Sequence, residues 1–285
     1  MNTWIKLIIV TIACLPVDGK TQVLFKVAPS DLSKLRPDHF SDEELDLPYY
    51  LAHFHRIANA VVETGENRGF IDISVWRSRR DNKPYNARIM ENCLSLAYFY
   101  CKDRPWNPYY ADTALRQRLE ATLSFWCRIQ NNDGRFSEYE PGGWGLAPTA
   151  FATKFMGETL ILLKDGPEID SKIHKNVIEA MRKAIFISLT DSNLYEHGKR
   201  YTNQYTNTFA GALAFLSIYP DKEIEHLLRE KVRQTHSAFQ SPVGYFYERD
   251  GPDWGYTNQC IDCTTHLYST MYNSVHEDRW TNTRS

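Results

Sequence analysis

The sequence lacks the features of several large protein classes. Its 33 basic and 35 acidic side chains give a formal net charge of −2, so no basic excess is present to neutralise nucleic-acid phosphates. No run of alternating β-branched residues is long enough to build a sheet. We therefore expect a helical protein that binds neither DNA nor RNA.

Cysteine is scarce, and its spacing favours neither a disulfide framework nor a zinc site. Of the six cysteines, five remain if residues 1–19 are removed, and an odd number argues against complete pairing. Cys93 and Cys101 lie on one predicted helix at a rise of about 12 Å, too far apart to bond. Cys260 and Cys263, followed by His266, imitate half of a zinc site that no second cysteine pair completes. We expect no metal and no cofactor.

Residues 1–19 resemble a secretory signal peptide. They contain Lys6, an apolar run behind it and small residues up to Ala13, and they are too short and too poorly flanked for a membrane span. Cys14 is an alternative lipid-attachment site, although Thr11 stands where a leucine normally lies in such a signal. We expect a secreted or periplasmic protein, or one anchored by lipid at Cys14.

Amphipathic segments joined by short Gly, Pro, Asn and Asp turns account for most of the remaining chain. Several are apolar on more than one face, which is typical of helices in a layered array. The sequence therefore predicts an all-α protein built as an incomplete (α/α) toroid of helical hairpins. Residues 20–47 are interpreted as an N-terminal arm, 48–275 as the toroid domain and 276–285 as a polar tail. Helices are predicted at residues 49–64, 86–101, 111–130, 149–163, 170–188, 206–219, 221–239 and 263–273.

The segment of residues 244–257, GYFYERDGPDWGYT, is the first candidate for a functional site. A Gly-Pro turn prevents a continuous helix here, and the loop is rich in aromatic and titratable side chains. Such loops often line a site, although the same aromatics also commonly seal the edge of a helical domain. Its candidate site residues are Tyr247, Arg249, Trp254 and Tyr256.

Two further segments carry candidate ligand-binding residues. Residues 200–207, RYTNQYTN, precede an apolar helix, where their side chains can cap the helix or help to bind an anion. The polar loop of residues 132–144 ends in Trp144, which suits stacking on a sugar ring or packing over a helix end. We expect the three segments to converge on one face of the helical array. The candidates from residues 200–207 are Arg200, Asn203, Gln204 and Tyr205.

The order of these motifs resembles the toroidal domain of heparinase II/III-like and alginate-lyase-like polysaccharide lyases. An Asn-bearing segment opens a buried helix, an aromatic Gly-Pro loop ending in Tyr256 follows, and a Thr-His pair ending at His266 comes last. The resemblance covers residues 49–273. It implies an anionic polysaccharide substrate that is cleaved by β-elimination.

The resemblance also implies roles for individual residues. Asn203 resembles the asparagine that neutralises the uronate carboxylate, Tyr256 the catalytic tyrosine, and His266 a histidine of the site rim. Gln204 stands where many relatives have a histidine, and an amide cannot take up a proton. Tyr256 would then carry more of the proton transfer, with Arg200 or Arg249 lowering its pKa from the reference value of about 10.

Two other functions remain open from the sequence. A toroidal glycoside hydrolase would use a pair of carboxylates from the same loops, separated by roughly 5–9.5 Å. A sugar-binding protein, or a fragment without the remaining catalytic groups, would not catalyse any reaction. The candidate carboxylates for a hydrolase are Glu138, Glu140, Glu248, Asp250 and Asp253.

Overall fold

A computed structural model describes residues 23–73, 81–249, 251, 253, 255–257 and 260 of the chain. These residues are mostly helical, which confirms the predicted class. A two-stranded antiparallel hairpin, β1 (Phe136–Ser137) and β2 (Trp144–Gly145), lies between the third and fourth α-helices. In the described ranges, no helix has the length and hydropathy that a membrane span requires. The α-helices are α1 (Leu47–Asn59), α2 (Cys93–Cys101), α3 (Thr113–Arg128), α4 (Leu146–Asp165), α5 (Ser171–Thr190), α6 (Ser192–Arg200), α7 (Thr202–Leu216) and α8 (Lys222–Ala238).

The largest differences from the predicted helices occur around α6 and α7. Helix α6 was missed because it is short and polar, yet it buries Leu194 and Gly198. Helix α7 begins at Thr202 rather than at residue 206, so most of the predicted polar loop forms its first turns. Neither Thr206 nor Asn207 caps it. The predicted helix at residues 263–273 lies outside the described residues.

Four helices begin at an aspartate that caps its own first turn. Asp112, Asp170, Asp191 and Asp221 each accept hydrogen bonds from backbone N–H groups of α3, α5, α6 and α8. These carboxylates satisfy donors that have no partner within the helix and oppose the positive end of its dipole. Helix α7 differs from these four helices. The residue that precedes it is Tyr201, whose side chain makes no capping hydrogen bond.

The helices pack in two layers. Helix α4 lies between α2 and α7, while α5 lies between α3 and α8. Across the layers, α2 packs on α3, α4 on α5 and α7 on α8. Helices α4 and α7 bury residues on most of their faces, as expected for inner helices, whereas α8 has a polar outer face.

The contact between α4 and α7 depends on glycine. A Cβ atom at Gly211 would lie 2.6 Å from the carbonyl carbon of Thr153, and one at Gly157 would lie 2.8 Å from the Cβ of Ala214. These distances are shorter than side-chain atoms tolerate, so the two backbones approach closely only because both positions lack a side chain. This contact fixes the C-terminal half of α7 against α4.

The N-terminal arm is bound to the helical domain rather than separate from it. Leu24 and Val27 are buried in the common hydrophobic core. The fully buried Arg118 of α3 donates from Nε to the carbonyl oxygen of Phe25 at 2.7 Å and forms an ion pair with Glu63 at 3.0 Å. The arm therefore forms part of the folded unit.

Candidate functional site

A hairpin-like loop following α8 packs against the start of α7. Its two arms are joined by a hydrogen bond from the backbone N–H of Tyr247 to the carbonyl oxygen of Phe239 at 3.0 Å. The carbonyl oxygen of Tyr247 then accepts from the N–H of Thr202 at 3.3 Å. The aromatic loop and the polar segment of the sequence thus meet at one helix end.

Glu248 supplies the cap that α7 lacks in its own sequence. Its Oε1 accepts a hydrogen bond from the backbone N–H of Asn203 at 3.0 Å. Burial raises the pKa of Glu248, the Asn203 N–H opposes this shift, and Asp253 adds to it. The positive end of α7 is therefore already occupied by a carboxylate of the protein itself. The sequence left two roles open for residues 200–207, capping this helix or binding an anion. Glu248 takes the capping role, and Asn203 and Gln204 line the cavity described next.

An open cavity of about 770 Å³ lies beside this junction. One wall is formed by the end of α6 and the start of α7, with His197, Tyr201, Asn203 and Gln204. The last loop adds the next part of the wall. The volume of the cavity falls within the range of pockets that bind small organic ligands.

The remaining walls come from distant parts of the chain. Arg249 and Tyr256 extend from the last loop, while Tyr139 belongs to the turn between β1 and β2. Arg88 and Glu138, both largely buried, also line the cavity. The cavity therefore combines two guanidinium groups, an imidazole, a carboxylate, several phenols and two amides.

A smaller cavity of about 360 Å³ adjoins the first. Both are lined by Tyr201, Asn203, Gln204, Arg249 and Tyr256. Glu248, Gly251 and Asp253 complete the smaller one. The shared wall makes the two spaces parts of one depression, large enough for more than a single small group.

Several residues predicted from the sequence lie at this depression. Tyr256 is 48% exposed and Asn203 is 6% exposed, and both line the same cavity, as the predicted convergence requires. Gln204 and Arg249 line it as well. Trp144 is 40% exposed; its neighbours Gly143 and Gly145 belong to the lining, whereas Trp144 itself is not among the lining residues.

Three other predicted residues have different positions. Tyr205 is fully buried, and its hydroxyl donates to the carbonyl oxygen of Ser188 at 3.0 Å, so the prediction that it binds substrate is wrong. The reason is that α7 starts early, which turns Tyr205 into the core. Arg200 is exposed beside the ring of Tyr201, and Tyr247 contributes backbone hydrogen bonds to the junction. Trp254, His266 and Asp250 lie outside the described residues.

The floor of the cavity is a buried ionic cluster around Arg88. Its guanidinium pairs with Glu91 and lies 3.8 Å from the ring centroid of Phe151. Burial raises the pKa of Glu91 to about 7; Arg88 opposes the shift, and the nearby Glu138 adds to it. The cluster holds the Arg88 side chain in place by an ion pair and a cation–π contact.

His197 is the most informative residue that the sequence did not reveal as a candidate. Its ring stacks on that of Tyr201, with centroids 4.8 Å apart and planes 27° apart. Burial lowers the pKa of His197, the Gln204 amide opposes this shift, and Arg200 adds to it. The contact between the Gln204 amide and the His197 imidazole is weak, because Oε1 of Gln204 has no hydrogen-bond partner. The lowered pKa favours the neutral imidazole near pH 7.

Arg88, Tyr139 and Tyr201 also line the cavity, although the sequence did not single them out as site residues; Glu138, a candidate carboxylate from the sequence, lines it as well. Among the described residues, no group of three or more His, Cys, Asp or Glu side chains is arranged to hold a metal ion. Comparisons with protein families, with curated proteins and with solved structures found no match.

Proposed function

We propose that the protein is a polysaccharide lyase that cleaves a uronic-acid-containing polysaccharide by β-elimination. The observation that carries this proposal is the common cavity of Asn203, Tyr256, His197 and Arg249. It combines donors for a carboxylate with groups that transfer protons. These are the two requirements of elimination next to a carboxylate.

The substrate class follows from the shape and the charge of the depression. Tyr139, Trp144 and Tyr256 are exposed aromatic side chains in or beside it, and such rings stack on the apolar faces of sugars. Arg249 provides a cation that is accessible from solvent, which suits a carboxylate-bearing sugar. An open depression, rather than a closed pocket, suits a polymer that extends beyond the site.

The elimination needs stabilisation of a carbanion next to the uronate carboxylate. The hydrogen at C5 becomes removable only when donors or cations offset the charge that develops on that carboxylate. The Asn203 amide and the Arg249 guanidinium are the groups proposed for this task. The hydroxyl of Tyr256 is proposed to transfer a proton to the leaving oxygen as the C4–O bond breaks.

We also propose that the helices form part of an (α/α) toroid. Three successive pairs, α2 with α3, α4 with α5, and α7 with α8, each contribute one helix to each layer. Neighbouring pairs contact each other within both layers, and this pattern supports the proposal of an incomplete double ring. The cavity lies near the N-terminal ends of α4 and α7, where the connecting loops gather.

A panel of uronate polysaccharides incubated with the purified protein tests the proposed reaction. Each bond broken by elimination leaves a C4=C5 double bond at the new sugar end, and no water is consumed. We expect unsaturated products from at least one polymer. Asn203→Ala should lower kcat by roughly 10²- to 10³-fold, the effect of removing one donor to a developing oxyanion. Failure of the parent protein to form unsaturated ends on every polymer would contradict the proposal.

A glycoside hydrolase is the second candidate, because two partly buried carboxylates lie at the same depression. Glu138 lines the larger cavity and Glu248 the smaller one. The raised pKa of Glu248 suits a general acid, which must be protonated to assist a leaving group. Saturated reducing ends, together with loss of activity in Glu248→Gln and full activity in Tyr256→Phe, would favour this alternative.

A further inference from the structure

A base that removes the C5 proton must be unprotonated near neutral pH. Tyrosine has a reference pKa of about 10 and is almost entirely protonated there, and arginine does not release its proton. The amides of Asn203 and Gln204 cannot accept a proton in this range. Within the described lining of the two cavities, the remaining candidates are the carboxylates and one imidazole, that of His197.

The carboxylates are less well placed for this role. Glu248 already accepts the backbone N–H of Asn203 and serves as the cap of α7, and Asp253 accepts the backbone N–H of Tyr256 at 2.9 Å. Glu138 is largely buried, close to the Arg88–Glu91 pair on the floor of the cavity. A carboxylate committed to a helix end or to an ionic cluster cannot approach the substrate without losing that interaction.

The position of His197 is fixed by its neighbours. Helix α6 ends within one turn of it, and the N–H of Tyr201 donates to the His197 carbonyl oxygen at 3.2 Å. The Tyr201 ring stacks on one face of the imidazole, while the His197 side chain remains accessible from the cavity. A base held in one orientation loses little entropy when the substrate binds.

We propose that His197 is the catalytic base that takes the C5 proton of the uronate, and that Tyr256 donates the proton to the leaving oxygen. This inference rests on the proposed function. The electron pair of the C5–H bond becomes the C4=C5 double bond, and the C4–O bond breaks to the leaving sugar. His197 ends protonated and Tyr256 ends as phenolate. Transfer of the proton from His197 to Tyr256 through solvent restores both groups.

If His197 is the base, its pKa sets the acid limb of the kcat/KM profile. Arg200 at the end of α6 acts on His197 directly. The other charged and titratable groups that share the larger cavity with His197 are Arg88, Glu138, Tyr139, Tyr201, Arg249 and Tyr256. The pKa of His197 is lowered, so the imidazole becomes protonated only below its ordinary value of 6.5. The acid limb of kcat/KM should therefore lie below that pH in the wild-type protein.

Chemical rescue separates a base from a residue that only shapes the cavity. His197→Ala should lower kcat by roughly 10²- to 10⁴-fold, the usual contribution of a general base. Free imidazole should restore part of the rate, with a pH profile that follows the pKa of the added imidazole. His226 lies exposed on α8, outside both cavities, so His226→Gln is a matched control with unchanged kinetics.

Two further variants keep the test decisive. His197→Gln preserves the size and polarity of the side chain, and it should lose activity and the acid limb without a change in Tm. Glu248→Gln should keep the acid limb, which excludes Glu248 as its source. If the parent forms unsaturated products and His197→Ala is fully active, His197 is not the base and the lyase proposal stands. If the parent forms no unsaturated product on any polymer, both proposals fail together.

Discussion

Tyr256 combines an exposed side chain with a fixed main chain. Its half-exposed phenol lines both cavities, and its backbone is fixed by a hydrogen bond from the Tyr256 N–H to Oδ1 of Asp253 at 2.9 Å. The side chain is thus free to meet a ligand while the main chain is held. A proton donor needs this combination of access and fixed position.

Tyr256→Phe should abolish elimination and leave polysaccharide binding nearly unchanged. The substitution removes the hydroxyl that transfers the proton but keeps the ring for stacking. Initial rates of unsaturated-end formation and a separate binding isotherm on the same polymer measure the two effects. Tyr245→Phe on the same loop, outside both cavities, is the matched control. Full activity in Tyr256→Phe would remove this residue from the mechanism.

Burial of Glu91 produces a measurable pH dependence of stability. Its pKa is raised from 4.5 to about 7, so the folded protein holds a proton that the unfolded chain loses between these values. The stabilisation is complete below the unfolded value and is lost as the pH rises through the folded value. From about pH 5 to about pH 8, the wild type should lose roughly 3 kcal/mol more free energy of unfolding than Glu91→Gln. Urea unfolding at both pH values tests this, and equal changes in the two proteins would contradict it.

The pair of helices α4 and α7 determines where the site forms. Asn203 and Gln204 lie in the first turn of α7, whereas Leu146, Pro148 and the nearby Phe151 lie at the start of α4. The close contact of the two backbones lies further along both helices, at Gly211 and Gly157, and holds α4 and α7 together as one packed pair. A change at this contact should affect both stability and the site.

Gly211→Ala should destabilise the protein by about 1–3 kcal/mol, although alanine is the better helix former. The added Cβ would meet backbone atoms of Thr153, which cannot move without displacing α4. Thermal unfolding measures the loss. Ala210→Ser, at the neighbouring and less buried position of α7, adds an atom without this clash and should leave Tm nearly unchanged. An increase in Tm for Gly211→Ala would show that the helices can separate at little cost.

The described chain is a single packed unit that includes its N-terminal arm. Residues on the arm, on α1 and on α3 share one hydrophobic core, and Arg118 connects them through hydrogen bonds to several backbone carbonyl oxygens. A buried cation with this many acceptors is costly to remove, because the carbonyl groups are left without donors. The arm therefore contributes to global stability.

Arg118→Met should lower the free energy of unfolding by roughly 3–5 kcal/mol and release the arm. Hydrogen exchange at Phe25 and Val27 should rise more than exchange in α5, because only the arm loses its anchor. Arg116→Met, on the exposed side of the same helix, removes a surface pair with Glu120 and should cost less than about 1 kcal/mol. Equal effects of the two substitutions would contradict the anchoring role.

The sequence by itself determined the helical class and three of the segments that meet at the site, including the polar loop of residues 132–144 with Glu138 and Tyr139. Helical periodicity and turn residues act over a few positions, so they are readable without tertiary information. The aromatic loop carrying Arg249 and Tyr256 and the polar segment carrying Asn203 and Gln204 were identified in this way. Helix α6 and the first turn of α7 differ from the sequence-based prediction. Polar residues form these helical turns, and hydrophobic periodicity does not reveal them.

Only the tertiary structure decided which side chains face the cavity. Glu248 caps a helix whose first turn lies 45 positions earlier in the chain, and no local pattern encodes that hydrogen bond. The same packing turns Tyr205 into the core and brings Arg88, Glu138 and His197 to one depression. Which side chains are buried, and which residue caps a helix, depend on contacts between distant elements. Both follow from how the layers pack together rather than from local sequence preference.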